Sequence, residues 1–141
     1  MINTGDPEAA IAETIETTDF LASRYFETHS STYNVSVHLS DFVAKLPANA
    51  KILDVGCGPG RDARYFCDKG ARVTGIDLSS ETLKIARSTA PDAHFVIMDM
   101  RSLDLVSTSF DGIWCCASLY HLPKVFVNTT LTEFYRVLKP G

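Results

Sequence analysis

Apolar residues in the first third of the chain recur at helical spacing. Two such stretches predict helices at Ala9–Phe26 and Val37–Leu46. Asp6 and Pro7 are typical of the start of the first helix, because an aspartate side chain caps free backbone N–H groups and proline fits the first turn. Pro47 ends the second helix, since proline cannot continue it.

After residue 50, short apolar runs alternate with more polar segments, and this alternation predicts strands separated by helices. The predicted strands are Lys51–Val55, Arg72–Asp77, His94–Met98 and Gly112–Cys116. The predicted helices are Asp62–Lys69, closed by Gly70, then Ser80–Ser88, capped by Ser79 or Ser80, and Phe126–Leu138. Right-handed crossovers between such strands predict an α/β fold, a Rossmann-like parallel sheet sandwiched by helices.

The composition narrows the class of protein. With 141 residues we predict one domain over 1–141, with N-terminal helices in 1–49 and an α/β core in 50–141. A net charge of −4 without a basic stripe disfavours a nucleic-acid partner. No run of about 18 apolar residues occurs and the N-terminus is acidic, so neither a membrane span nor a signal peptide is expected.

The four cysteines indicate a reducing compartment. Cys57, Cys67, Cys115 and Cys116 form no C-x-x-C pair, and the vicinal pair cannot easily form a disulfide. We interpret them as reduced thiols and predict a cytoplasmic protein. No histidine lies at ligand spacing from a cysteine, so no metal site is predicted.

The segment "KILDVGCGPGRD" places glycines between a predicted strand and a predicted helix. At such a junction, backbone N–H groups and the helix N-terminus favour anionic groups, and glycine lets a ligand approach the backbone. Asp54, Asp77 and Asp99 each lie at or near the end of a successive strand. The ligand site of an open parallel sheet lies at this edge, so a ligand site is predicted here.

Two phosphate ligands fit this loop poorly. A P-loop requires Gly-Lys-Ser/Thr, whereas this loop ends in Gly60, Arg61 and Asp62. The dinucleotide motif G-x-G-x-x-G requires a third glycine where Arg61 stands, and Asp54 would repel a pyrophosphate. An NAD-binding Rossmann protein therefore remains the weaker alternative.

S-adenosylmethionine, which has no phosphate, matches the charged residues of this region better than the two phosphate ligands do. Asp54 suits its ammonium group, and Arg61 suits its carboxylate. Asp77, 21 residues after Gly56, is placed to accept hydrogen bonds from two ribose hydroxyls. Asp99 could accept from the adenine amino group.

Five segments also resemble the class I S-adenosylmethionine-dependent methyltransferases, in particular their small-molecule branch. They are "ILDVGCGPGRD", "VTGIDLS", "FVIMDM", "FDGIWCCASLYHLP" and "RVLKPG", within a likeness that runs from about Tyr25 to Gly141. The resemblance implies a seven-stranded sheet of order 3-2-1-4-5-7-6, with strand 7 antiparallel and the cofactor over strands 1 and 2.

The resemblance also implies roles for individual residues, by their position in these motifs. The methionine part of the cofactor would contact Asp54, Gly56, Cys57, Gly58, Cys116 and Ala117. Asp77 would bind the ribose, with Leu78 on the adenine and Asp99 and Met100 beside it. Tyr25 and Tyr33 would close over the cofactor.

The expected activity is transfer of a methyl group from S-adenosylmethionine to a small-molecule acceptor. A general base is needed only if the acceptor must lose a proton, and the candidates are His121, Tyr25 and His29. The alternative is a non-catalytic S-adenosylmethionine-binding module or fragment.

The sequence ends at "LKPG", where the family continues with further strands, so we expect the C-terminal strands of the seven-stranded fold to be lacking. The chain is then either a fragment or a short form. The fourth strand would be an apolar edge, which invites pairing with another chain. A homodimer through this edge is therefore a hypothesis.

Overall fold

The structure, a computed structural model, describes residues 5–29 and 36–141. Within the first helix, the side chains of residue 23 and of residues 25–29 are not described. Everything below concerns the described part of the chain.

Four parallel strands form one sheet in the order β3-β2-β1-β4. The strands are β1 (Lys51–Val55), β2 (Arg72–Asp77), β3 (His94–Ile97) and β4 (Gly112–Trp114). The predicted parallel α/β sheet is confirmed, and its order agrees with strands 3-2-1-4 of the fold that the resemblance implied. Among the described residues, no further strand pairs with β4 on its outer side.

Five α-helices accompany the sheet. They are α1 (Pro7–His29), α2 (Ser36–Ala44), α3 (Arg61–Asp68), α4 (Ser80–Thr89) and α5 (Val127–Val137), with short 3-10 turns at Leu119–His121 and Lys124–Phe126. The predicted caps are confirmed at Asp6, whose carboxylate accepts from the Glu8 N–H at 3.0 Å, and at Ser79, whose hydroxyl accepts from the Thr82 N–H at 3.1 Å.

Both outer strands end earlier than predicted. β3 stops at Ile97, which pairs with Asp77, the last residue of β2. β4 stops at Trp114, which pairs with Asp54. Met98, directly after β3, still donates its N–H to the Asp77 carbonyl at 3.2 Å, and β1 continues one residue beyond Asp54, to Val55.

The core lies on both faces of the sheet. Ile52 belongs to one cluster of buried residues, with Phe66 of α3 and Leu83 of α4. Leu53 belongs to the other cluster, with residues of α5. Successive strand residues point to opposite faces, which explains how one five-residue strand supplies both clusters. The described side chains of α1 take part in neither cluster.

The described helices include none that is both long enough and apolar enough to cross a membrane.

Candidate active site

The glycine loop (Gly56–Gly60) is held against the end of β2. The N–H groups of Gly56 and Cys57 both donate to the carbonyl of Ile76, at 2.8 and 3.0 Å. Gly56 and Gly58 have φ values of +65° and +53°, a region that favours glycine. A Cβ at Gly58 would meet no atom within 4 Å, so a ligand can approach the backbone there.

Asp77 lies at the end of β2 with its carboxylate oriented by two backbone N–H groups. Oδ2 accepts from Gly58 at 3.0 Å, and Oδ1 accepts from Ser79 at 3.0 Å. Burial raises the pKa of Asp77 above its ordinary value, although these hydrogen bonds act in the opposite direction. Each oxygen keeps a lone pair for one further donor, so this carboxylate can accept from two neighbouring hydroxyls.

Asp54 lies at the end of β1 beneath the glycine loop and is 2% exposed. Within the described part of the chain, its Oδ2 has no hydrogen-bond partner. Burial, followed by the negative charges of Asp62 and Asp77, raises the pKa of Asp54 well above its ordinary value. A buried carboxylate that lacks a partner is costly, and a cationic ligand near it would relieve that cost.

Asp99 follows β3, and its carboxylate is occupied by Arg101. Oδ1 accepts from the Arg101 N–H at 2.8 Å and from Nε at 3.1 Å, while Oδ2 accepts from Nε at 2.9 Å and from Nη2 at 2.7 Å. Partial burial acts to raise the pKa of Asp99, but the hydrogen bonds from Arg101 outweigh it and lower the pKa. An adenine amino group would compete with Arg101 for this carboxylate, so the adenine role stays a prediction.

A cavity of about 340 Å³ opens at the carboxyl ends of the strands. Most of the residues predicted for the site lie in its wall: Gly56, Gly58, Asp77, Leu78, Asp99, Met100, Ala117 and His121. The sheet therefore gathers residues from four separate segments around one space, as the strand-end argument predicted.

Four predicted site residues are not among those that line this cavity: Asp54, Cys57, Arg61 and Cys116. Arg61 forms an ion pair with its neighbour, through Nε and Asp62 Oδ1 at 2.7 Å, and Asp62 Oδ2 also accepts from Trp114 Nε1 at 2.9 Å. The interaction of Arg61 with a ligand carboxylate therefore remains a prediction. The Cys57 thiol is buried, and this burial raises its pKa, which disfavours a thiolate.

Three residues predicted near the cofactor or the acceptor, Tyr25, His29 and Tyr33, cannot be located relative to the cavity. Tyr33 lies outside the described residues, and Tyr25 and His29 lie in α1 among the side chains that are not described.

The sequence prediction missed the role of α1. Ile11, Ile15, Thr18 and Leu21 line the cavity, opposite the glycine loop and strand ends. Asp19 attaches the same helix to α4, because its Oδ1 accepts from the Ser79 hydroxyl at 2.5 Å. The spacing of Ile11 and Ile15, one helical turn apart, indicated an apolar face but not the surface that it covers.

Comparison with known proteins agrees with this arrangement. Residues 52–141 match the family described as "Methyltransferase domain". The match covers the sheet, the glycine loop and the strand ends described above, and the chain belongs to this family.

Individual relatives share its sequence or its fold. The chain is 38% identical over 101 residues to the malonyl-[acyl-carrier protein] O-methyltransferase of Enterobacter lignolyticus, which covers 70% of this chain and 39% of the relative. It is 39% identical over 104 residues to the S-adenosyl-L-methionine-dependent Diels-Alderase iccD of Talaromyces variabilis, covering 68% of this chain and 35% of the relative.

A solved structure with a similar fold is the 1,6-didemethyltoxoflavin-N1-methyltransferase of Burkholderia thailandensis, with 1,6-didemethyltoxoflavin and S-adenosylhomocysteine bound. The two share 26% identity with a TM-score of 0.80, over 96% of this chain and 60% of that chain. The chain spans less than half the length of the curated relatives that it matches first, between 39% and 47%.

Proposed function

We propose that this chain binds S-adenosylmethionine and acts as a methyltransferase on a small-molecule acceptor. The observation that carries the proposal is the Asp77 carboxylate in the cavity wall, held by the N–H groups of Gly58 and Ser79. Its two remaining lone pairs suit the two hydroxyls of a ribose. Membership of the methyltransferase domain family supports the same ligand.

The glycine loop and Asp54 suit the methionine end of this cofactor. The glycine loop offers space above Gly58, and the buried Asp54 beneath it has an unpaired oxygen. A cationic methionine end therefore suits this loop better than a pyrophosphate, because a nearby cation favours the charged form of the buried Asp54 and a nearby anion disfavours it further. The same reasoning disfavours NAD.

The protein's part in the reaction is to position the cofactor and to exclude water. When bound, S-adenosylmethionine supplies an electrophilic methyl group on a sulfonium. Asp77 would hold the ribose, and the glycine loop would orient the methionine end. The apolar face of α1 and the turn Leu119–His121 would keep water from the reacting atoms. His121, in the cavity wall, is the candidate to accept a proton from an acceptor that must lose one.

Calorimetry with S-adenosylhomocysteine tests the binding site. Asp77→Ala should weaken binding at least tenfold, because each hydrogen bond to a charged acceptor contributes about 1.5–3 kcal/mol. Asp77→Asn, which keeps one oxygen, should be affected less. Asp92→Ala, at an exposed aspartate, serves as the control. Absence of binding to the wild-type chain at millimolar ligand, or displacement of the ligand by equimolar NAD, would contradict the proposal.

A second candidate function is a binding module that transfers no methyl group. It is favoured by the S-adenosyl-L-methionine-dependent Diels-Alderase among the relatives, whose name states a reaction other than methyl transfer. Methyl-labelled S-adenosylmethionine, incubated with a malonyl thioester or with 1,6-didemethyltoxoflavin, separates the two. Label on either acceptor supports the methyltransferase, whereas tight cofactor binding without transfer supports the module.

We further propose that the protein works in the cytoplasm, without a nucleic-acid partner, and pairs as a homodimer through β4. The thiols of Cys57, Cys67, Cys115 and Cys116 are free, and the outer edge of β4 has no partner among the described residues. Sedimentation at increasing concentration tests the dimer, and a single monomeric species at high concentration would contradict it.

A further inference from the structure

We propose that Arg101 is a positioning residue, which joins Asp99 at the end of β3 to Glu8 on α1 and so holds α1 closed over the cofactor. This inference rests on the proposed function. It concerns the face of the cavity that lies opposite the glycine loop.

The position of Arg101 is constrained on three sides. Asp99 receives its Nε and Nη2, while Nη1 donates to Glu8 Oε1 at 2.7 Å. The ring of Phe126 lies 4.5 Å from the guanidinium carbon, at a distance that allows a cation–π interaction. A planar guanidinium can satisfy a carboxylate with two N–H groups and still donate to a second acceptor, which a lysine cannot do in this geometry.

The α1 helix depends on such polar contacts. Among its described side chains only Ala22 is a buried apolar residue, and none belongs to either core cluster. Ile11 and Ile15 face the cavity and therefore contribute little packing. Hydrophobic burial thus attaches α1 weakly, so the polar contacts of Glu8 and Asp19 gain importance.

Two of the polar contacts that α1 makes, those of Asp19 and Glu8, differ in exposure. Near the middle of α1, Asp19 accepts from the Ser79 hydroxyl, and Ser79 is 1% exposed. At the N-terminal end, the side chain of Glu8 is 62% exposed while that of Arg101 is 18% exposed. Water and salt compete most easily for the exposed contact. Of these two contacts, the Glu8 contact is therefore the one that opens when the cofactor exchanges.

Arg101 belongs both to the cavity wall and to the contact with α1. Asp99 and Arg101 both line the cavity, and Glu8 does not. A change at Glu8 therefore alters the closure of α1 without altering the cavity wall. This separates positioning from direct binding in an experiment.

Amide hydrogen exchange of the ligand-free chain tests the contact directly. Glu8→Gln should speed exchange in the first turns of α1 about three- to fivefold, the size expected when an exposed ion pair is lost. Glu8→Asp keeps the negative charge at the helix N-terminus but shortens the side chain, and it should have a similar effect. Glu13→Gln, at an exposed glutamate of the same helix, should leave exchange unchanged.

The rate of S-adenosylhomocysteine release, followed by stopped-flow fluorescence, tests the role in positioning. Glu8→Gln should speed release by a similar factor, and added salt should speed release from the wild type more than from this variant. In an Arg101→Gln background, Glu8→Gln should have no further effect.

Exchange in Glu8→Gln equal to that in Glu13→Gln would overturn the closure of α1 by Arg101. Faster exchange with unchanged ligand release would overturn its role over the cofactor. Failure of the wild-type chain to bind S-adenosylhomocysteine would instead refute the proposed function, and hydrogen exchange would still decide whether Arg101 holds α1.

Discussion

The cavity has two sides that are built by different forces. The side formed by the glycine loop and the strand ends rests on fully buried residues such as Ile52, Leu53 and Phe66. The opposite side is α1, which contributes Ala22 to the buried residues and is held by Asp19 and Glu8. A rigid side can define where a ligand lies, whereas a side held by few polar contacts can move to admit it.

The two sides should differ most in the free energy of unfolding that is lost when one of their side chains is truncated to alanine. Phe66→Ala should destabilise the chain by about 3–5 kcal/mol, as expected for a fully buried aromatic side chain. Phe66 is 0% exposed and packs against Phe42 and Trp114. Ile11→Ala on α1 should cost no more than about 1 kcal/mol, because its side chain faces the cavity. Urea unfolding measures both, and similar losses would remove the distinction.

Within the rigid side, two glycines should differ in their tolerance of a side chain. Gly56→Ala should cost about 2–4 kcal/mol, because the left-handed backbone is strained and the new Cβ meets Ser118. That Cβ would lie 2.6 Å from the Ser118 hydroxyl oxygen. Gly58→Ala carries only the backbone strain, about 1–2 kcal/mol. Equal stability of the two variants in urea unfolding would show that the contact with Ser118 relaxes easily.

Asp54→Asn, unlike the preceding substitutions, should raise the stability of the ligand-free chain at neutral pH. Burial raises the pKa of Asp54 in the folded state, so ionisation opposes folding. This cost is absent below the ordinary pKa of an aspartate, about 3.9, grows as pH rises from there to the folded pKa, and is constant above it. The melting temperature of the variant should therefore exceed that of the wild type at pH 7 and approach it near pH 3.5. Lower stability at pH 7 would contradict this.

The smallest effect is expected at Glu133 on α5, where the pH dependence runs in the other direction. Hydrogen bonds from Arg136 and from the Leu103 N–H lower the pKa of Glu133 to about 2. The charged Glu133 therefore contributes to stability above the ordinary pKa of a glutamate, about 4.3, and this contribution is lost as pH falls towards 2. Glu133→Gln should narrow the difference in urea midpoint between pH 6 and pH 3, whereas Glu16→Gln on α1 should not.

Local patterns predicted the rigid side well. β1 and β2 have the predicted bounds, and Gly70, with a φ of +84°, follows α3 as the helix-end signal indicated. Strand alternation, helix caps and glycine positions are properties of neighbouring residues, so the sequence shows them directly. The strand-end rule then brought Asp77 and Asp99 to one cavity, since parallel strands end at the same edge.

The partners of charged groups could not be predicted in this way. The sequence did not indicate that Arg61 pairs with Asp62, and its interaction with a ligand carboxylate stays a prediction. It likewise did not indicate that Arg101 binds the carboxylate of Asp99, whose interaction with adenine stays a prediction. Several acceptors lie within reach of a long side chain, and only the packed structure decides which one it meets.

The sequence by itself determined the sheet, the glycine loop and the family to which they belong, because these depend on residue types at short, regular spacing. The tertiary structure decided what lies over the loop. Glu8 and Arg101 are 93 residues apart and Asp19 and Ser79 are 60 apart. No periodic pattern connects positions so distant, and their contacts arise only when the chain folds and α1 comes to lie against α4 and the end of β3.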